Sequence, residues 1–333
     1  MLVLGCEIVI EGKRNVRYRG VNSLEVNTSV RNLTDTARIV LPRKTVEKSR
    51  GNVSDDSKYI DVSEIISKGD RCSIKTWYKG YEDHFMTYEG YVTSVSDETP
   101  VVITAENEMW QLKKTVVSPK RYEKFDFKEF MQEYCPDVEL VMPNSISFGE
   151  VIIKDETTVA KVIDYLQKNY PFNAYFDGKR MIVLLLTTLV SDTKKVTFKR
   201  GINVISSSLK YTVAEDVKVQ IIAKSILADN TKLEAKSPAD GTDCEVRTFY
   251  EPSCKTLSKL QEFADNKLLT YKTDKMTGDI VAFGIPFVKK GDTVIIKDDN
   301  SKYNNKKFIA DAVKYTYGMG GYRQTITLGD EIK

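Results

Sequence analysis

Gly69-Asp70-Arg71-Cys72-Ser73-Ile74-Lys75 is answered ~220 residues later by Gly291-Asp292-Thr293-Val294-Ile295-Ile296-Lys297. Each stretch is a Gly-Asp turn leading into an alternating, β-branched run, the pattern of a turn followed by a strand. Each is followed, at nearly the same distance, by a strand led by phenylalanine. In the first copy this is Phe85 running on to Tyr91-Val92-Thr93-Ser94-Val95, and in the second Phe308-Ile309-Ala310-Asp311-Ala312-Val313-Lys314-Tyr315. A closing strand completes each copy: Val102-Ile103-Thr104 before Asn107-Glu108, and Thr325-Ile326-Thr327 before Asp330-Glu331. Gly-Asp before a strand is common turn chemistry by itself. Three matched features in one order point to a duplicated β unit.

Around these repeats the chain changes character. Residues 2–11, Leu24-Glu25-Val26 and Ala37-Arg38-Ile39-Val40-Leu41 read as strands, the last ended by Pro42, which has no amide to donate. Residues 43–57 are polar and read as a long exposed loop, and residues 62–67 as a short helical turn. Asp126 opens a helix that Pro136 stops. A second helix spans 157–169, capped by Thr157 or Thr158, with Val159, Val162, Ile163 and Leu166 on one face. The turn Asp177-Gly178-Lys179 then joins Asn173-Ala174-Tyr175-Phe176 to residues 181–187 as a hairpin. Residues 217–225 and 244–250 read as strands. Residues 255–272 read as a helix burying Leu257, Leu260, Phe263, Ala264, Leu268 and Leu269.

Composition excludes several classes of function. Fifty basic residues against forty-seven acidic ones leave a net charge of +3, so there is no global nucleic-acid footprint. The most apolar run, residues 181–190, is half the length that a spanning helix needs. The opening Met1-Leu2-Val3-Leu4-Gly5-Cys6 lacks the basic and apolar regions of an export signal, so the expectation is a chain without an export address. Cys6, Cys72, Cys135, Cys244 and Cys254 form no CxxC pair and read as reduced thiols, with a Cys244–Cys254 pairing left open.

Chemistry has little to work with. His84 is the single histidine, beside a hairpin tip, so neither a zinc site nor a Ser–His or Cys–His system has its parts. Gly318-Met319-Gly320-Gly321 lies between strands and reads as a hairpin turn, because a phosphate loop needs a helix after it. Asp298-Asp299-Asn300 lacks the glycine and closing glutamate of a calcium loop. No catalytic, cofactor-binding or metal-binding residue is assigned. Tyr88, Tyr91, Tyr211 and Tyr315 sit on strands, where core or subunit packing is the expected role.

Several segments taken in order resemble phage tail-hub proteins. They are Val30-Arg31-Asn32-Leu33-Thr34-Asp35-Thr36-Ala37 leading to Leu41-Pro42, then Gly69-Asp70, Gly90-Tyr91-Val92 and Glu106-Asn107-Glu108-Met109-Trp110-Gln111-Leu112. Phe283-Gly284-Ile285-Pro286, Gly291-Asp292, Gly320-Gly321-Tyr322-Arg323-Gln324 and Leu328-Gly329 continue it. Each motif is short, and their order carries the resemblance. The family includes baseplate hubs of contractile tails, the late control protein D group and the equivalent section of type VI secretion spike proteins. The resemblance implies a homotrimer whose two similar units per chain make a ring of six, joining the tail tube to a central spike.

The expected fold is α+β and mainly β: two similar small antiparallel β-barrel domains, residues 1–118 and 201–333, flanking an α+β segment at 119–200, with one helix near 255–272 in the second. The expected function is that of a non-enzymatic structural hub in the virion tail baseplate, assembled in the bacterial host cytoplasm. Its implied partners are a tail tube or distal tail protein, a separate spike or needle protein and a tape-measure protein. DNA would meet it only in transit through the lumen, with no stable membrane insertion and no cofactor. The expectation includes no fused spike and no room for a lysozyme domain. A carbohydrate- or cell-wall-binding tail module is the alternative, predicting an exposed aromatic patch; a wall-degrading enzyme would need a cleft with paired carboxylates.

Overall fold

The computed structural model describes residues 3–46, 59–81, 85–142, 146–170, 172–185, 194–227, 231–238, 240, 242–251, 254–272, 275–298 and 304–332. His84, most of the polar 43–57 loop, residues 186–190 of the apolar run and the Asp299-Asn300 turn lie outside them.

The N-terminal part supplies seven strands to the main sheet: β1 (Leu4–Glu11), β2 (Val16–Tyr18), β3 (Ser23–Ser29), β4 (Thr36–Leu41), β5 (Arg71–Tyr78), β6 (Met86–Val95) and β7 (Val101–Glu106). Their alternation is what the pleat requires. In β5 every second residue (Cys72, Ile74, Thr76, Tyr78) is buried. A short helical turn, Val62–Ile65, is capped by Asp61, whose side chain accepts from the Ser63 amide.

The middle of the chain folds around its own core. Helix α1 (Phe127–Tyr134) starts where the Asp126 side chain accepts from the Lys128 and Glu129 amides. Helix α2 (Val159–Asn169) is capped by Thr158 and buries Val159, Ala160, Val162, Ile163 and Leu166. They pack on a three-stranded sheet of β8 (Glu139–Val141), β9 (Phe172–Asp177) and β10 (Arg180–Leu185), with β10 in the centre. Phe125, Phe127, Phe148 and Phe172 fill this core with edge and tilted ring contacts.

The C-terminal part supplies the rest of the main sheet. These strands are β11 (Lys195–Lys199), β12 (Val204–Ser207), β13 (Lys210–Thr212), β17 (Lys275–Thr277), β18 (Asp279–Phe283), β19 (Thr293–Lys297), β20 (Lys307–Gly318) and β21 (Gly321–Ile332). Inserted among them, β14 (Val219–Ile226), β15 (Lys232–Ser237), β16 (Glu245–Tyr250) and helix α3 (Leu257–Tyr271) form a satellite unit with a separate core. In α3 the buried residues are Leu260, Ala264 and Lys267, while Leu257 and Leu269, expected from the helical period to be buried, are exposed. The sheet beneath the helix is only three strands wide, so it cannot cover so broad an apolar stripe.

All fifteen main-sheet strands are hydrogen bonded into one system, along the path β12-β18-β21-β20-β3-β4-β7-β6-β5-β1-β2. The two β regions are therefore continuous through the antiparallel pairing of β20 with β3. They also share one hydrophobic core, in which Ile8, Val26, Ile39 and Ile74 belong to the same cluster as Phe198, Ile280, Phe308 and Ile326. The fold is mainly β, as expected. The strand path does not close into a barrel among the described residues. β11, which falls within the 119–200 segment expected from the sequence, pairs in parallel with β19.

Candidate functional site

The repeated Gly-Asp turns are equivalent down to individual hydrogen bonds. In the first, the Gly69 amide donates to the Val92 carbonyl (2.8 Å), the Val92 amide to the Asp70 carbonyl (2.8 Å) and the Asp70 amide to the Ser67 carbonyl (3.2 Å). In the second, Gly291 donates to Ala310 (2.8 Å), Ala310 to Asp292 (2.9 Å) and Asp292 to Lys289 (3.1 Å). Each Asp side chain also accepts from the amide three residues before it, Ser67 or Lys289, at 2.8 Å. Gly69 and Gly291 both have a left-handed backbone, with φ of 99° and 84°, which glycine adopts without steric cost. A register shift follows at the same point in each copy, between Val92 and Ser94 and between Ala310 and Ala312.

Strand order repeats as well. The array β5-β6-β7-β4-β3 matches β19-β20-β21-β18-β12, with every neighbouring pair antiparallel. The copies part at one flank, where β1 is antiparallel to β5 but β11 is parallel to β19. Gly318 and Gly321 close the β20–β21 hairpin as paired residues, with Met319 exposed at the tip.

Where the two copies meet, three of the sequence motifs converge on one buried ion pair. Asp35, from the loop between β3 and β4, accepts from the Lys290 ammonium at 2.5 Å, and both side chains are under a tenth exposed. The same carboxylate accepts from the Ser29 amide (3.0 Å) and the Asn107 side-chain amide (3.2 Å). Lys290 also donates to the Ser29 carbonyl (3.3 Å) and lies over the ring of Tyr175 in β9 (4.9 Å). This ion pair thus ties both β copies to the middle segment. Burial raises the Asp35 carboxyl pKa and lowers that of the Lys290 ammonium, and their mutual attraction opposes both shifts.

Further contacts staple the same junction. Arg31 reaches across to Asp311 (2.6 Å) and Asp330 (3.2 Å). Tyr78 Oη donates to the Tyr322 carbonyl (2.7 Å). The buried Gln324 side chain donates to the Phe283 and Pro286 carbonyls and accepts from the Val288 amide, which fixes the loop before the second Gly-Asp turn. Tyr88 and Tyr315 are buried, and half-buried Tyr91 stacks on Trp110, so these strand aromatics serve packing. The Tyr211 side chain lies outside the described residues.

A second feature lies apart from the junction. A cleft of about 670 Å³ separates the middle segment from α3. Glu150 pairs there with both Arg121 (2.6 Å) and Lys255 (3.3 Å). On its wall Lys267, from α3, donates to the Lys168 carbonyl (2.6 Å), and burial lowers its ammonium pKa to about 8.

Among the described residues no group of three or more His, Cys, Asp or Glu side chains is placed to hold a metal ion, and no helix is long and apolar enough to cross a membrane. Cys244 and Cys254 form no disulfide, so the pairing left open by the sequence is not made. Burial pushes the Cys6 and Cys72 thiols up to about 12.

No protein-family model matches the chain, and no curated protein matches it in sequence. Solved structures do match its fold. A tail protein from Neisseria meningitidis superposes with a TM-score of 0.68 at 12% identity, over 98% of this chain and 97% of that one. The 43 kDa tail protein of prophage MuSo2 from Shewanella oneidensis gives 0.66 at 13% identity, over 97% and 96%. An E. coli component of the type VI secretion system, described as similar to T4 bacteriophage tail proteins, gives 0.57 at 10% identity, over 98% of this chain and 77% of that one. The order of motifs in the sequence and the near-complete structural coverage agree: this chain has the fold of phage tail proteins and of a type VI secretion system component.

Proposed function

We propose that the chain is a structural subunit of a tail hub. Three copies close a ring in which six related β units alternate, two from each chain, near residues 1–118 and 201–333, with the α+β segment 119–200 between them. Such a ring presents near six-fold symmetry to a tail tube and three-fold symmetry to a separate spike, and leaves a lumen for DNA in transit. Its action is mechanical: it transmits geometry between partners of different symmetry and makes or breaks no bond. It belongs in the baseplate of the virion tail.

The observation that carries this reading is the duplicated Gly-Asp turn, with its matched hydrogen bonds and its repeated strand order inside one continuous sheet. A chain serving only as a three-fold connector needs no internal copy, whereas matching three-fold to six-fold does. Heterologous contacts between copies close into a ring when the rotation between them is a whole fraction of a turn. Mass measurement of the purified chain, followed by negative-stain averaging, tests it: a three-chain ring with six similar lobes is expected, and a monomer that enters no larger tail complex overturns it.

A further inference from the structure

The duplication leaves one strand without the neighbour that its counterpart has. In the first copy β3 lies between β4 and β20. Registers identify its partner in the second copy. Ile39 pairs with both Ile103 and Leu24, and Ile280 pairs with both Ile326 and Ser207, so Leu24 corresponds to Ser207. Five residues further on, Ser29 corresponds to Thr212. The β12 and β13 strands together therefore run where β3 runs, with β18 and β17 beside them as β4 lies beside β3.

Their outer edge is open. Among the described residues no strand pairs with β12 or β13 on the side where β20 covers β3. Exposure follows: Leu24 and Val26 of β3 are 3% and 0% exposed, whereas their counterparts are exposed Ser207 and only partly buried Leu209. The strand that covers β3 is the far half of β20, from Ala312 to Gly318. The counterpart of β20 is β6, matched through the Gly-Asp turn and the register shift that places Ser94 where Ala312 stands. Beyond that shift β6 pairs with β7 on one side only; its other edge has no strand partner among the described residues.

We infer that the end of β6 in one copy of this chain adds to the open edge of β12 and β13 in the next. The inference rests on the ring reading and specifies its subunit contact. The intrachain pairing of Ala312 with Ser29 carries over to Ser94 of one copy opposite Thr212 of the other, with Val95 opposite Tyr211 and Ser96 opposite Lys210. The pairing is antiparallel, as between β20 and β3. The β6–β7 hairpin is the shorter of the two, so the contact ends near Asp97, which pairs with Arg43 of its own chain, and Glu98, whose carboxylate arrives close to exposed Lys210. Each copy gives one strand end and takes one, which satisfies otherwise open backbone groups and propagates head to tail.

Directly opposed residues in an antiparallel pair stand about 4.5–5.5 Å apart at Cα, within reach of a disulfide. Ser94→Cys and Thr212→Cys are therefore made as separate variants in a Cys244→Ser background, mixed and mildly oxidised. A disulfide-linked two-chain species from the mixture, with none from either variant alone, is expected. Hydrogen exchange on the unmodified protein gives a second reading, with amides of residues 94–96 and 204–212 protected in the assembled form. A three-chain complex that neither cross-links nor protects these amides overturns this pairing and leaves the ring standing. A chain that stays monomeric at tens of micromolar overturns both.

Discussion

Lys290 and Asp35 form a buried ion pair at 2.5 Å across the junction of two duplicated β units that are far apart in sequence. Asp35 sits in the Leu-Thr-Asp-Thr-Ala stretch and Lys290 directly precedes the second Gly-Asp turn. Each unit thus supplies one half of the contact that fixes its position against the other.

Removing one partner strands a buried charge. Asp35→Ala and Lys290→Met should each cost about 3–5 kcal/mol of stability. The double variant should cost well below the sum, because neither charge is then left alone. Urea denaturation of the four proteins measures the coupling, and additive losses would show that the two groups act independently.

The two Gly-Asp turns should respond alike to loss of the aspartate side chain. Asp70→Ala and Asp292→Ala each delete one hydrogen bond to a backbone amide, worth about 1 kcal/mol. The glycines should differ. Both substitutions to alanine strain a left-handed residue, but a Cβ on Gly291 also comes within 2.9 Å of the Tyr175 hydroxyl, whereas the nearest atom to one on Gly69, in Trp110, is at 3.5 Å. Gly291→Ala should therefore cost more than Gly69→Ala. Shifts in the denaturation midpoint decide this, and equal losses would argue against the close approach of Tyr175 to this turn.

Stability should depend on pH through Lys267. Its ammonium titrates near 8 in the folded chain against an ordinary 10.5. The unfolded chain holds that proton more tightly, so the penalty for burying the charge is complete below about pH 8 and fades as pH rises to 10.5. Across that window the wild type should gain up to about 3 kcal/mol on Lys267→Met, at 1.36 kcal/mol per pH unit of difference. Parallel denaturation series of the two proteins from pH 7 to 10.5 measure it; a constant gap would mean that Lys267 titrates normally.

Local signals made much of the fold legible. Alternation placed a strand, β5, directly after the first Gly-Asp turn, Asp126 marked the start of the helix it caps, Thr158 was one of two caps offered for the next, and the Gly-Asp echo identified a duplication that holds at the level of hydrogen bonds. What was not legible depends on contacts remote in sequence. Nothing in residues 195–199 signals a parallel partner at 293–297, and nothing in β3 signals that its neighbour is β20. Leu257 and Leu269 fit the helical period, yet they are exposed because period alone does not set the width of the surface that covers a helix. The junction was visible only as motifs: Asp35 and Asn107 lay within two of the quoted stretches and Lys290 just before the second Gly-Asp turn, and their convergence required the fold.

The three-chain, six-lobed ring stands or falls on mass photometry of the purified chain across micromolar concentrations, on a sample also imaged by negative stain. The expected species has three times the 37.8 kDa chain mass and averages to a ring of six similar lobes. A single-chain mass throughout, together with failure to join any larger tail complex, would contradict it.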